Sequence, residues 1–522
     1  MTSRRLLPLV LAMGLALAST TSLSGLSGPP AQAAADRVTR LRAALPEVDK
    51  VFAAFAARAR VPGITYGVLI DGQLVHTASV GVRELATRSP ITNDTVFRIA
   101  SMTKSFTALS ILKLRDEGKL SLDDPAERFV PELAGLKYPT ADSPKLTIRH
   151  LLSHAEGFPE DNPWGDQQLA VTEEQFTAML KGGIPFSTAP GTAYEYSNYG
   201  FAILGRIVSR VSGMPYANYV TANILRPLGM NSTTLEPASV PKDRLALGYR
   251  WEDNQWKEEP QLPDGAFGAM GGMLTSTTDL AKYVSFLMSA WPPRDDLDPG
   301  PVKRASLREM QQVSRPRPAT ATGGGATPLQ LNASGYGYGL RIRQSCQFRH
   351  IVAHSGGLPG FGSQMRWLSE EGIAFIAMGN LTYTGWDAVL DAATDALART
   401  GALTRRQPVP SAALLAAKDD VTRLVNQWDD GLADRIAAVN LFLDESKDRR
   451  RRQIIGLREQ VGICRAEGPF DVENALRGQW DLTCERGSLR VAITLAPTMP
   501  PTVQYLTVRP APATPPAPVC GG

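Results

Sequence analysis

Cysteine and histidine are scarce, at 4 and 5 of 522 residues. So few cysteines exclude a disulfide-dense miniature scaffold. His150 and His154 stand four apart, as do His350 and His354, and each pair could share a face and hold zinc. No carboxylate or cysteine stands at ligand spacing beside them and there is no His-Glu-x-x-His motif, so the sequence argues against a metal and implies no cofactor. Neither sign of charge dominates: 55 Lys and Arg against 51 Asp and Glu leave a net charge of +4. That balance lacks the concentrated basic face that nucleic acid requires. Beyond residue 33 no stretch is long and apolar enough to span a bilayer. A Gly-x-Ser-x-Gly elbow is missing, which disfavours an ordinary α/β-hydrolase, and no solenoid-type repeat is found. What is present is 43% hydrophobic and 20% charged residues, a composition that can bury large cores and that suggests two or three domains.

Arg4 and Arg5 precede an apolar run over 6–18 and the small-residue sequence Ala31-Gln32-Ala33. This predicts a signal peptide over 1–33, cleaved after Ala33, because the apolar run is too short for a spanning helix. The expected product is exported, periplasmic or secreted, and not membrane-spanning. Export permits disulfides, and Cys346, Cys464, Cys484 and Cys520 all lie in the last third. Four cysteines allow three pairings; Cys464 with Cys484 is the pair expected within one small module.

Residues Ile64, Tyr66, Val68 and Ile70 alternate before Asp71-Gly72, which predicts a β-hairpin. Helical spacing follows over 101–117, with further helices expected at 148–153, 199–211 and 278–288. The Pro- and Gly-rich stretch 291–335 reads as a flexible inserted surface loop. Strands at 348–354, 363–368 and 373–378 and a helix ending near Arg399 complete a unit of antiparallel sheet and helices over 34–400. The segment 401–411 reads as a linker. Charged helices over 412–461 and strands near 475–484, 488–495 and 502–509 predict a small α+β module over 412–510, followed by a mobile tail over 511–522. The run Arg449 to Arg452 is expected on a solvated helix face.

Ser101-Met102-Thr103-Lys104 opens the first long helix. Positions i and i+3 share a face, so a serine hydroxyl and a lysine amine can meet, and a desolvated lysine can activate a serine. The same spacing recurs at Ser110 and Lys113, so the pair alone is weak. Tyr196-Ser197-Asn198 follows Pro190-Gly191 and precedes a helix. A tyrosine beside a lysine cation would have its phenolate favoured and could shuttle protons, and Asn198 could hold a substrate amide. His354-Ser355-Gly356-Gly357 ends a strand whose Gly-rich edge lets substrate lie against backbone, and the Gly357 and Ser101 N–H groups could form an oxyanion hole.

These three motifs, in this order, resemble the serine β-lactamase and penicillin-binding-protein superfamily over about residues 45–400. The match is to the class C-like branch that includes D-Ala-D-Ala carboxypeptidases, D-aminopeptidases and β-lactamase-like esterases. Phe97-Arg98-Ile99-Ala100, Leu146-Thr147-Ile148-Arg149-His150-Leu151-Leu152-Ser153-His154 and Pro227-Leu228-Gly229-Met230 agree with that branch. The resemblance implies a β-lactamase/transpeptidase-like α/β (α+β) fold. It makes Ser101 the acylated nucleophile, Lys104 its partner base, Tyr196 the general base and acid, and Asn198, His354, Ser355 and Gly356 substrate-binding residues. His354 would stand in for the lysine of the third β-lactamase motif, which points to the peptidase and esterase members. Implied partners are a small ester, peptide or β-lactam substrate and cell-wall peptidoglycan. An inactive binding or scaffold relative is the alternative from another class. Glu156 stands where the family commonly carries serine and is expected to face solvent. The C-terminal module resembles NTF2-like or cystatin-like domains in layout only.

Overall fold

The computed structural model describes residues 29–324 and 327–512; the residues of the predicted signal peptide up to 28, Cys520 and most of the expected tail lie outside the described residues. The chain first builds the hairpin that the alternation anticipates, Gly63–Ile70 with Gln73–Glu84. Asp71 and Gly72 turn it with φ of 48° and 80°, the left-handed pair that a tight hairpin turn demands and that Asp-Gly supplies. Ile373–Gly379 then closes on the free edge of Gly63–Ile70, antiparallel, with Val68 opposite Phe375. The nine-stranded sheet runs in the order Ser89–Pro90, Gln73–Glu84, Gly63–Ile70, Ile373–Gly379, Phe361–Leu368, Ile351–Leu358, Arg341–Ser345, Thr327–Tyr336, Arg315–Gly324.

Helices cover both faces of the central strands, which therefore lose the half-polar pattern of a one-sided sheet. Gly63–Ile70 is buried at every position. Tyr66, Val68 and Phe375 face a core made with the Pro29–Arg58 and Asp387–Arg399 helices, where Phe52 stacks on Tyr66 and Trp386 is enclosed. Leu69, Met365, Trp367 and Ile376 face the opposite core, built on the Thr103–Asp116 and Thr277–Met288 helices.

The stretch 291–335 is not a loop insertion. It carries the Arg304–Met310 helix and two strands that extend the sheet from the edge of Arg341–Ser345. Its sequence concealed this because both faces of the outermost strand stay exposed, so no apolar alternation marks it. Pro316 and Pro318 are tolerated there because an edge strand has backbone positions with no ladder bond to lose.

Residues after 410 form a second core. Trp480, Leu482, Leu489, Val491 and Ile493 line one face of a five-stranded antiparallel sheet, against the Ala412–Asn426 and Lys447–Val461 helices. Two of its strands, Cys464–Arg465 and Phe470–Asn474, escaped the sequence reading. Cys464 lies directly opposite Cys484 and the two are disulfide-bonded. The arginines 449–452 lie on the Lys447–Val461 helix.

Candidate active site

Ser101 sits in a single 3-10 turn, Ala100–Met102, which runs into the Thr103–Asp116 helix. Ala100 has a φ of 47°, a strained conformation for a residue with a Cβ. The turn is held from outside: Ile99 N–H donates to Met273 O, and Ser363 Oγ donates to Ile99 O at 2.9 Å. One turn of helix brings Lys104 under Ser101, with its Nζ 3.0 Å from Ser101 Oγ, 2.6 Å from Asn198 Oδ1 and 2.8 Å from Met270 O. The ammonium also lies 4.9 Å from the centre of the Tyr196 ring.

Lys104 is fully enclosed. Desolvation pushes it down to about 7, against the raising influence of Asp166 and Asp161 and with help from Arg341. A large fraction is therefore the free amine at neutral pH. Tyr196 answers burial the opposite way. Its pKa is held well above the phenol range, and its hydrogen bond to Ser101 and the charge of Arg341 oppose this only partly. The expected favouring of its phenolate by a cation is thus overridden by desolvation, and Tyr196 is a proton donor at rest.

Asn198 opens the Asn198–Ser212 helix, capped by Ser197. Asp161 accepts from the backbone N–H groups of Asn198 and Tyr199 and from Ser197 Oγ, so its charge serves the helix N-terminus. Asn198 Nδ2 donates to Asn162 Oδ1, which leaves its Oδ1 turned to Lys104.

The third motif lies on Ile351–Leu358. This strand pairs along its whole length with Phe361–Leu368, whereas pairing with Arg341–Ser345 stops at Ala353. Residues 354–358 therefore have one unpaired edge. A Cβ on Gly356 would lie 2.0 Å from Ile99 O and one on Gly357 2.7 Å from the Tyr383 ring, so the approach of this strand to the Ser101 turn requires glycine.

His354 does not replace a lysine electrostatically. It is fully buried and held well below its ordinary pKa by desolvation and by Arg341 and Lys104. Its Nδ1 lies 2.7 Å from Ser355 O, which can only accept, so Nδ1 carries the proton and Nε2 accepts from Tyr336 OH at 2.8 Å. The cation at this end of the site is Arg341, which begins the paired part of its strand opposite Ala353. Its guanidinium lies over the Tyr196 ring and, among the described residues, makes no salt bridge, with Nε unpartnered. With Arg317, Tyr194, Tyr196, Glu160 and Asn162 it lines a cavity of about 700 Å³.

Glu156 does not face solvent. It is fully buried beside His154, at 3.7 Å, and against Gly200, where a Cβ would lie 2.5 Å from Oε1. Its position under the Asn198–Ser212 helix explains the burial. The His154 ring lies against Tyr196 with centroids 4.2 Å apart and planes tilted by 39°, and its Nδ1 accepts from Ser197 N–H. The four paired histidines do not converge on one point: Thr147 N–H donates to His150 Nδ1, and His350 Nε2 contacts Gln311 O.

Asp161, Asp166, Tyr336, Arg341 and Tyr383 were invisible to motif reading. Only Arg341 left a trace, as a charge between Leu340 and Ile342, both buried.

A family profile described as Beta-lactamase matches residues 48–400. Penicillin-binding protein 4* of Bacillus subtilis is 30% identical over 201 residues, covering 37% of this chain and 42% of that protein. Protein flp of Staphylococcus aureus (strain N315) is 29% identical over 251 residues, covering 47% and 49%; the chain thus spans about half the length of the curated relatives it matches. Among solved structures, the octameric penicillin-binding protein homologue from Pyrococcus abyssi superposes with a TM-score of 0.58 at 25% identity, over 87% of this chain and 91% of that one. A class C beta-lactamase shares the fold at a TM-score of 0.53 and 19% identity, over 68% of this chain and 96% of that one. With its antiparallel sheet, its flanking helices and a family match across more than half its length, the chain belongs to the β-lactamase family.

Proposed function

We propose that this chain is a serine hydrolase working through an acyl-enzyme on Ser101, with ester, peptide or β-lactam substrates. The observation that carries the reading is the buried Lys104 amine 3.0 Å from Ser101 Oγ, poised near neutral pH. Lys104 takes the Ser101 proton as Oγ bonds to the substrate carbonyl carbon. The oxygen that becomes negative is held by the backbone N–H groups of Ser101 and Gly357. When the leaving group departs, it takes the Tyr196 proton, which the Lys104 ammonium replaces. Water then gives a proton back to this pair, attacks the acyl carbon and releases Ser101 with its hydrogen. The open edge of residues 354–358 supports a substrate backbone added as an extra strand.

Unpaired Arg341 favours substrates with a carboxylate near the scissile bond, as in a peptide C-terminus or a β-lactam, over simple esters. A carboxypeptidase-like reaction or slow β-lactam turnover fits this better than a general esterase. We also read the chain as exported, a reading supported by the Cys464–Cys484 disulfide.

The test is the intact mass of the protein after brief incubation with a penicillin, beside Ser101→Ala, with drug loss followed in parallel. An adduct or drug loss that Ser101→Ala abolishes is expected. No adduct and no Ser101-dependent turnover of penicillin, activated esters or D-Ala-D-Ala peptides would leave only a binding relative.

A further inference from the structure

Asp166 follows the short Asn162–Gly165 helix, whose last residue abuts the catalytic cluster: a Cβ on Gly165 would lie 2.7 Å from Asn198 Nδ2. The next residue along is therefore carried to the wall behind the Lys104–Asn198 contact. Asp166 is buried, at 4% exposure, and makes no ion pair within salt-bridge distance among the described residues. Its side-chain partner is Tyr383, whose hydroxyl donates to Oδ2 at 3.1 Å.

Tyr383 reaches Asp166 from the opposite wall. Its ring lies against Gly357 on the strand with the open edge. It holds a φ of 52°, unfavourable for a bulky residue, and the flanking chain fixes it there. Tyr383 N–H donates to Phe361 O, Thr382 Oγ1 accepts from Gly360 N–H and donates to Tyr249 O, and Thr384 Oγ1 donates to Leu381 O. One phenol thus spans from the strand with the open edge to a buried carboxylate whose charge acts on Lys104.

The groups that face Lys104 are Asp166 and Asp161 of one segment, Arg341 from the sheet, the Tyr196 ring, and His154 and His354. Both histidines are held far below their ordinary pKa and are neutral. Asp161 is engaged by the helix N-terminus. Asp166 itself faces Lys104, Tyr383, Asp161 and Glu160, and burial pushes it up to about 6. It is the carboxylate whose charge is not committed to a helix.

We propose that Asp166, held across the cleft by Tyr383, is a positioning residue whose negative charge sets the pH at which Lys104 becomes a base. The proposal rests on the reading of Lys104 as the base for Ser101. An opposite charge close by favours the charged form of its partner. The Asp166 carboxylate therefore restrains Lys104 from losing its proton too early, and the Tyr383 hydrogen bond keeps that carboxylate ionised and in place.

The sign is unusual enough to test. Asp166→Asn should move the acid limb of kcat/KM for acylation to lower pH by several tenths of a unit or more, so that the variant outperforms wild type relative to its own plateau near pH 6.5, where the wild-type carboxylate is ionised. Asp166→Glu should return the limb, and Tyr383→Phe, at a half-exposed residue, should move it in the same direction by less. A merely structural Asp166 would lower rates at every pH and leave the limb in place. The Lys104 side-chain resonance, followed by NMR in 13C-lysine protein and assigned with Lys104→Met, should show the same downward shift in Asp166→Asn. An unmoved or raised NMR midpoint in both Asp166→Asn and Tyr383→Phe overturns the proposal. That midpoint is read without turnover, whereas retention of activity in Ser101→Ala would refute the acyl-enzyme reading alone.

Discussion

Glu156 gives a stability prediction whose sign is set by burial alone. Neither of its carboxyl oxygens finds a hydrogen-bond partner among the described residues, and it is fully enclosed. Desolvation holds its pKa well above the carboxylate range, and the charges of Asp161 and Glu195 add to this. The folded protein therefore keeps a proton that the unfolded chain releases above about pH 4.3. Because the folded value is raised, its contribution is fully present below the unfolded pKa and is lost as pH rises through the window up to the folded one. The loss is about 1.4 kcal/mol per pH unit while the folded group stays protonated. Glu156→Gln has the same shape and cannot ionise. The variant should match wild type near pH 4 and be the more stable at pH 7, the gap widening by about 1.4 kcal/mol for each pH unit above about 4.3 over which the folded Glu156 keeps its proton. Thermal and urea unfolding at the two pH values measure the gap. A gap that is constant, or that narrows as pH rises, would refute the claim that this carboxyl is buried and protonated.

Three other outcomes are expected. In wild type, kcat/KM for acylation should rise with pH to a midpoint near 7 as Lys104 loses its proton, falling about tenfold per unit below it; a flat profile between pH 5.5 and 8 would remove Lys104 as the base. Arg341→Gln should raise KM about 10- to 100-fold for substrates with a carboxylate, the loss of a charge-assisted hydrogen bond or two, while an activated neutral ester is little affected; equal losses on both would show that Arg341 only supports Tyr196. Replacing both Cys464 and Cys484 by alanine opens a link across 20 residues and should destabilise the C-terminal module by roughly 3 kcal/mol, measured by proteolysis or calorimetry, with the Ser101 adduct still forming.

Much of this was written locally. Asp71-Gly72 dictates a turn that only left-handed φ values close, and the 3-10 turn that carries Ser101 runs straight into the helix that carries Lys104, so their three-residue spacing puts them on one face. The alternation of Leu489, Val491 and Ile493 declared one buried face of the C-terminal sheet. The strands over 315–336 were not legible, because the outer one is exposed on both faces and the inner one is buried only at its end, at Gly335 and Tyr336, so no apolar period marks them.

The sequence by itself determined which residues are candidates for the chemistry, because Ser101-x-x-Lys104, Tyr196-x-Asn198 and His354-Ser355-Gly356-Gly357 each bring their groups together within a few residues of backbone. Only the tertiary structure decided the charge states of those groups. Lys104 is poised near neutrality, Tyr196 and Glu156 keep their protons and His354 is neutral because of what is packed around them. It also decided that Arg341, rather than the histidine of the third motif, brings a cation to that end of the site. Spacing along a chain fixes distances over one or two turns of helix. Desolvation and Coulomb energies depend on neighbours hundreds of residues away, and those meet only when the sheet and its two covering layers close.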